Sequence, residues 1–245
     1  ASDVYKRQVN ELIINRINQA YQDTNWEILS EENFKIQSNY FNNVDWLWVL
    51  DPLDGTRDFI QGTGNYAMHL ALNYKRKTYI GVVLIPEKDE LWISYAEKLW
   101  CENRDGNIRK QNSSKTNILK EMTIVTSKNH RNKKLKDLIE KINFKKTIVM
   151  GSIGCKVASI IRGDSDIYIS LSLPGKSAPK DWDFAAPEAI LKAAGGAITT
   201  IDNKELIYNS MSYEHPGIII ASSNKQNHRC FCSQVKEVIK KQNIC

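Results

Sequence analysis

Residues 48–59 read WVLDPLDGTRDF, and the two aspartates at the end of that apolar run, Asp51 and Asp54, decide how the rest of the chain is read. Residues 46–50, WLWVL, are apolar throughout, the pattern of a strand buried on both faces that delivers Asp51 at its C-terminal end. Pro52 has no N–H to donate and is expected to stop the strand ladder. Two carboxylates held close together repel, and burying them is costly unless something positive sits between them. The residues alone leave two readings open. Asp51, the Leu53 carbonyl and Asp54 are hard oxygen donors that suit Mg2+, with the Gly55 and Thr56 N–H groups beside them for a phosphate. Equally, D-P and D-G are common in a plain acidic turn.

The surrounding composition narrows the class. The 245 residues are 42% hydrophobic, enough for a substantial core in one large domain or two small ones packed together. Lys and Arg number 34 against 28 Asp and Glu, a formal net charge of +6 that suits an anionic partner, whether nucleic acid or a small phosphate ester. The cysteines (Cys101, Cys155, Cys230, Cys232, Cys245) are odd in number and irregularly spaced, unlike a disulfide framework, so a reducing cytoplasm is expected. No apolar run approaches the roughly 18 residues of a membrane span, and no signal-peptide pattern opens the chain, so no membrane partner is expected. The first eight residues, ASDVYKRQ, lack an initiator methionine and show no pattern; they read as the start of a fragment or as a foreign start.

Outward from the motif, residues 9–21 place Leu12, Ile13, Ile17 and Tyr21 at helical spacing. Residues 66–74, 79–86 and 90–96 read as strands of a meander. Polar residues dominate from Asn103 to Thr116, which divides an N-terminal α+β half, residues 1–112, from a C-terminal half, residues 113–245. That second half alternates strand and helix: MTIVTS, KKLKDLIEKI, KTIVMGS, GCKVASIIRG, DIYISL, FAAPEAILKAAGG, AITTI, GIIIAS and a final helix.

Two further acidic positions look ordinary by themselves. Asp183, in KDWDFAAPEAILKAAGG, stands where a helix begins, and a capping role worth about 1 kcal/mol accounts for it. Glu31 and Glu32, in LSEEN, look like a solvated pair. PGKSAP is not a phosphate-binding loop, because Ser170 stands where the leading glycine belongs. HRCFC has no second ligand pair for zinc, and residues 130–146 have the apolar spacing of a surface helix, so no nucleic-acid partner is expected.

Taken jointly, SEE with Glu31, DPLDGT at 51–56 and WDFAA at 182–186 resemble, in order and rough spacing, the inositol monophosphatase superfamily over nearly the whole chain. The resemblance implies a layered α+β, α/β sandwich (αβαβα), like that of fructose-1,6-bisphosphatase, with the site between the two halves. It implies Mg2+ in two or three ions. One would take Glu31, Asp51 and the Leu53 carbonyl; a second would share Asp51 and take Asp54 and Asp183. Glu31 and Thr56 would position the attacking water, and the Gly55 and Thr56 N–H groups would hold phosphate oxygens.

DGTRDF and LSEE are closest to the 3'(2'),5'-bisphosphate nucleotidases of that superfamily, which hydrolyse 3'-phosphoadenosine 5'-phosphate to AMP and phosphate. Ser152 and Lys156, in MGSIGCKVAS, resemble a Ser and Lys pair that contacts the nucleotide there, with a spacing one residue longer. The arginine often found before the Trp-Asp pair is missing from IYISLSLPGKS, where Lys176 is the nearest basic substitute. Lys6 stands where the resemblance places an aspartate that organises a catalytic water, and Asp3 is out of register, so a folded but poorly active chain is expected. The expected partner is a small phosphorylated substrate, with the oligomeric state left open. The rivals are an inositol or other sugar phosphatase on the same scaffold and a non-catalytic nucleotide-binding protein.

Overall fold

A computed structural model of the chain describes residues 2–34, 41, 44–106, 116–127, 133–173 and 178–242. Helix α1 (Ser2–Ala20) leads into β1 (Glu27–Ser30), the short α2 (Glu31–Phe34), β2 (Trp46–Asp54) and the short α3 (Thr56–Ile60). Strands β3 (Ala67–Tyr74), β4 (Lys77–Ile85), β5 (Glu90–Tyr95) and β6 (Lys98–Glu102) then follow as a meander. The second half runs β7 (Thr123–Ser127), α4 (Lys133–Ile142), β8 (Lys146–Met150), α5 (Ile153–Arg162), β9 (Ile167–Ser172) and α6 (Asp181–Ala193). It closes with β10 (Ala197–Thr200), β11 (Gly217–Ser222) and α7 (Lys225–Gln242).

The strands form two sheets, in the orders β1-β2-β3-β4-β5-β6 and β10-β11-β9-β7-β8. In the first, β1 runs parallel to β2 and the other neighbours are antiparallel. In the second, β7 is parallel to both β8 and β9, while β9, β11 and β10 are antiparallel. Each sheet is apolar on both faces, so each is covered on both sides. Helices α5 and α6 lie between the sheets in one continuous core that joins Val83, Trp92, Ala185 and Phe184 to Val125, Tyr168 and Ile219. On the far side of the second sheet, Leu135, Leu138 and Ile142 of α4, at one-face helical spacing, pack with Phe231, Val235 and Ile239 of α7 against Ile124, Ile169 and Ile220. On the far side of the first, Ile17 of α1 packs on Trp48 and Leu72. The layers are therefore α, β, α, β, α, as the resemblance implied.

A close approach fixes how α6 sits on the first sheet. A Cβ on Gly81 of β4 would lie 2.6 Å from Ala189 Cβ and 2.9 Å from the Ala186 carbonyl, so only glycine lets helix and strand meet there. At the other end of the contact, Arg162 of α5 reaches across to Glu90 of β5 at 2.7 Å, and Trp92 Nε1 donates to the same carboxylate oxygen at 2.9 Å.

Three local expectations are revised. Helix α1 starts at Ser2 rather than near Val9. Strand β6 was hidden in the short KLWCE stretch before the polar segment. Strand β2 does not stop at Pro52 but runs on to Asp54 with a register shift, Asp51 pairing with His69 and Asp54 with Ala67. That pairing leaves one extra residue on β2, and a bulge is where a proline's missing N–H does no harm.

Candidate metal centre and active site

The bulge aims the two aspartates. The Leu53 N–H donates to Asp51 Oδ1 at 2.9 Å, and Thr56 Oγ1 donates back to the Leu53 carbonyl at 3.3 Å. Gly55 turns the chain with φ +86°, and a Cβ there would lie 2.9 Å from the Asn65 carbonyl. Asp54 then meets the start of α5. Its Oδ2 accepts from Ser152 Oγ at 2.8 Å and from the Ile153 N–H at 2.6 Å, while Ser152 Oγ caps the helix by accepting from the Cys155 N–H at 3.2 Å.

Asp183 arrives from the other half. It is the third residue of α6, where its Oδ2 accepts from the Lys180 N–H at 2.6 Å; Lys180 is the N-cap, so Asp183 is not the cap residue the sequence suggested but the acidic half of a capping box. The turn is anchored beneath by Asp181, whose carboxylate accepts from His215 Nε2 at 2.8 Å and from the Asn209 N–H at 2.5 Å. The cap is only half of Asp183's surroundings. Among the described residues, Asp51, Asp54 and Asp183 form one group in which one carboxylate oxygen from each lies within 4.8 Å of the other two.

Such a group favours either protons or a cation. Burial first, then Glu31 and Asp54, push Asp51 well above the usual carboxylate range. Burial and then Asp54 push Asp183 up to about 8 against the pull of the Lys180 N–H. An all-oxygen set of three mutually repelling carboxylates fits a hard divalent cation such as Mg2+.

The pocket expected for another ion is differently filled. Glu31, Asp51 and the Leu53 carbonyl do come together, but around the ammonium of Lys6. Its Nζ lies 2.5 Å from Glu31 Oε2, 3.4 Å from the Leu53 carbonyl, 3.8 Å from Asp51 Oδ1 and 3.9 Å from Glu32 Oε1. Burial pulls the Lys6 pKa down, but Asp51, Glu31 and Glu32 outweigh it and the net shift is upward, so Lys6 is a charged cation. Glu31 and Glu32 are thus a half-buried pair facing an ammonium rather than a solvated one.

Other expected residues are found beneath the site. Ser152 and Lys156 are completely buried. Lys156 Nζ donates to the Gly151 carbonyl at 2.7 Å and stands 5.3 Å from the centre of the Tyr168 ring. Gly55 and Thr56 are half-buried at the turn, and Lys176 lies outside the described residues.

Two residues near the centre were missed. His69, directly across from Asp51 on β3, is 1% exposed, with Nδ1 3.2 Å from the Trp182 carbonyl and Nε2 3.5 Å from Asp54 Oδ2. Burial holds its pKa below the ordinary value. The alternation of AMHLA, which turns Ala67, His69 and Ala71 inward, is the signal that would have found it. Asp58 is buried too, accepts from Thr63 Oγ1 at 2.5 Å, and fills the space where a Cβ on Gly151 would be, 1.9 Å from its Oδ2.

Fold and site together define a five-layer α/β protein with a cluster of three carboxylates that could hold a metal ion. The chain belongs to the inositol monophosphatase family, which it matches over residues 3–240. It is 32% identical over 188 residues to the 3'(2'),5'-bisphosphate nucleotidase CysQ of Buchnera aphidicola, covering 76% of this chain and 66% of the relative. It is 27% identical over 233 residues to human 3'(2'),5'-bisphosphate nucleotidase 1, covering 89% and 70%. The chain thus spans about two thirds of the length of such relatives. In fold it is similar to an IMPase of Thermotoga maritima, with a TM-score of 0.74, 23% identity and coverage of 96% of this chain and 83% of that one. An inositol monophosphatase from Zymomonas mobilis is similar with a TM-score of 0.73, 22% identity and coverage of 94% and 82%. Among the described residues no helix is long and apolar enough to cross a membrane.

Proposed function

We propose that this chain is a Mg2+-dependent phosphomonoesterase that hydrolyses a 3'(2'),5'-bisphosphate nucleotide, 3'-phosphoadenosine 5'-phosphate above all, in the cytoplasm. The observation that carries the reaction class is the meeting of Asp51, Asp54 and Asp183, from two halves of the chain, within 4.8 Å. The nucleotide is favoured by relatives that bear the nucleotidase name and by Arg57, the exposed basic residue of the DGTRDF motif.

Asp51, Asp54 and Asp183 would hold the cation, which when bound polarises the phosphate and lowers the pKa of a water. The protein's own groups do the rest. Ser152 and the Ile153 N–H hold the Asp54 carboxylate from behind, and the Lys180 N–H does so for Asp183, so the oxygens are aimed before any ligand arrives. The Gly55 and Thr56 N–H groups receive phosphate oxygens at the turn, and Glu31 and Thr56 orient the attacking water. Lys156, buried under the start of α5, acts on the substrate only through the field it adds beneath Asp54.

Phosphate release from 3'-phosphoadenosine 5'-phosphate and from inositol 1-phosphate, measured side by side with Mg2+ and with EDTA, tests this reading. Faster Mg2+-dependent release from the nucleotide supports it. Preference for inositol 1-phosphate moves the chain to the sugar phosphatases on the same scaffold.

A further inference from the structure

The Lys6 side chain is the feature the proposed chemistry does not use. It is 6% exposed, and a buried ammonium persists only where acceptors surround it. Here one carbonyl and three carboxylates do so, at 2.5 to 3.9 Å. The fold holds it in place. Lys6, Asn10 and Ile17 are the buried residues of α1, and Asn10 Nδ2 donates to Asn33 Oδ1 of α2 at 3.3 Å, which docks this face of the helix against the acidic turn.

We infer that the Lys6 ammonium is the resident cation of the pocket formed by Glu31, Asp51 and the Leu53 carbonyl, so that this chain takes a divalent ion at Asp51, Asp54 and Asp183 but none in the Lys6 pocket. The inference rests on the reading of that carboxylate group as a cation centre. Its physical basis is exclusion. Mg2+ binds oxygens at about 2.1 Å, so an ion on the same acceptors would stand within a few ångströms of the ammonium. Like charges that close, with little water between them, do not share a site. The ammonium is also a fixed positive charge on a tether, 2.5 Å from Glu31 Oε2 and 3.8 Å from Asp51 Oδ1.

Counting Mn2+ bound per whole chain, from the electron paramagnetic resonance signal of the free ion, tests it without any turnover. The parent chain should bind about one ion. Lys6→Met should bind about one more, and Lys6→Arg, which keeps the charge, should stay with the parent. Circular dichroism checks that each variant is folded; should Lys6→Met fail to fold, the parent count still decides. Two ions on the parent, or an unchanged count in folded Lys6→Met, overturn the inference while leaving the carboxylate centre intact. No Mn2+ on any of the three chains overturns the carboxylate centre itself, and the inference falls with it.

Discussion

Replacing Asp183 with Asn should stabilise the ion-free chain and remove the stabilisation it gains from Mg2+. The structure gives both sign and size. Without a cation, Asp183 shares its space with Asp51 and Asp54, and burial and then Asp54 raise its pKa from 3.8 to about 8. A carboxyl whose folded pKa is raised binds its proton more tightly folded than unfolded, so ionising it opposes folding increasingly from its unfolded value up to its folded one. At about 1.4 kcal/mol per pH unit, the bare shift corresponds to roughly 4 kcal/mol near neutrality. Asp183 keeps some contact with water, which screens it, and about half of that, ~2 kcal/mol, is the expected gain. Asn keeps an oxygen for the Lys180 N–H, so the helix cap survives the change. For a chain of this length ~2 kcal/mol raises Tm by roughly 4 to 8 °C. The parent, by contrast, should gain about 2.7 kcal/mol from Mg2+ at a hundred times its Kd, and the variant little. Thermal melts of both chains in EDTA and in Mg2+ at neutral pH read the two effects separately. A variant that melts lower than the parent in EDTA, or that gains as much from Mg2+, refutes the reasoning.

The same raised pKa sets a pH profile. In EDTA the parent's stability should fall as pH rises from 3.8 to about 8, the window between the unfolded and folded values of Asp183, and the stabilisation by Mg2+ should grow across it; melts that do not change with pH would count against this. Ser152→Ala removes the cap of α5 and a donor to Asp54, so it should cost about 1 kcal/mol of stability and roughly tenfold in divalent affinity, and calorimetric titration showing unchanged affinity would sink the supporting role given to Ser152. Arg162→Met takes from buried Glu90 the guanidinium that neutralises it, and urea denaturation should show a loss of about 3 to 5 kcal/mol; less than about 1 kcal/mol would mean that the pair does not hold α5 to the first sheet.

How far the site could be read from the sequence depended on what each residue had beside it. Asp51 and Asp54 stood out because an apolar strand ended in paired acids, although a plain acidic turn accounted for them equally well. Asp183 carried a sufficient local explanation as an N-cap, but Lys180 takes that place, and Asp183, two residues into the helix, bonds back to the Lys180 N–H and faces the other two acids as well. Glu31 looked like surface by itself and became a candidate only through its order relative to the other acids. Most strands and helices were legible from apolar spacing and their layering from the resemblance, whereas β6 is too short to show any spacing. Lys6 was placed beside the site by the resemblance alone, because the first turns of α1 have no apolar stripe and only packing turns a lysine inward there. Ser152, read as the end of a strand, caps α5, and its depth and that of Lys156 follow from how that helix is wedged between two sheets, which no local pattern encodes.

The central claim is that Asp51, Asp54 and Asp183 form a cation centre on which phosphate hydrolysis depends. The most direct test is Mg2+-titrated phosphate release from 3'-phosphoadenosine 5'-phosphate by the parent chain and by Asp54→Asn. Release should rise with Mg2+ to saturation and fall by at least about a hundredfold in the variant, whereas Mg2+-independent release, or a loss of less than about tenfold, would contradict a cation centre at these residues.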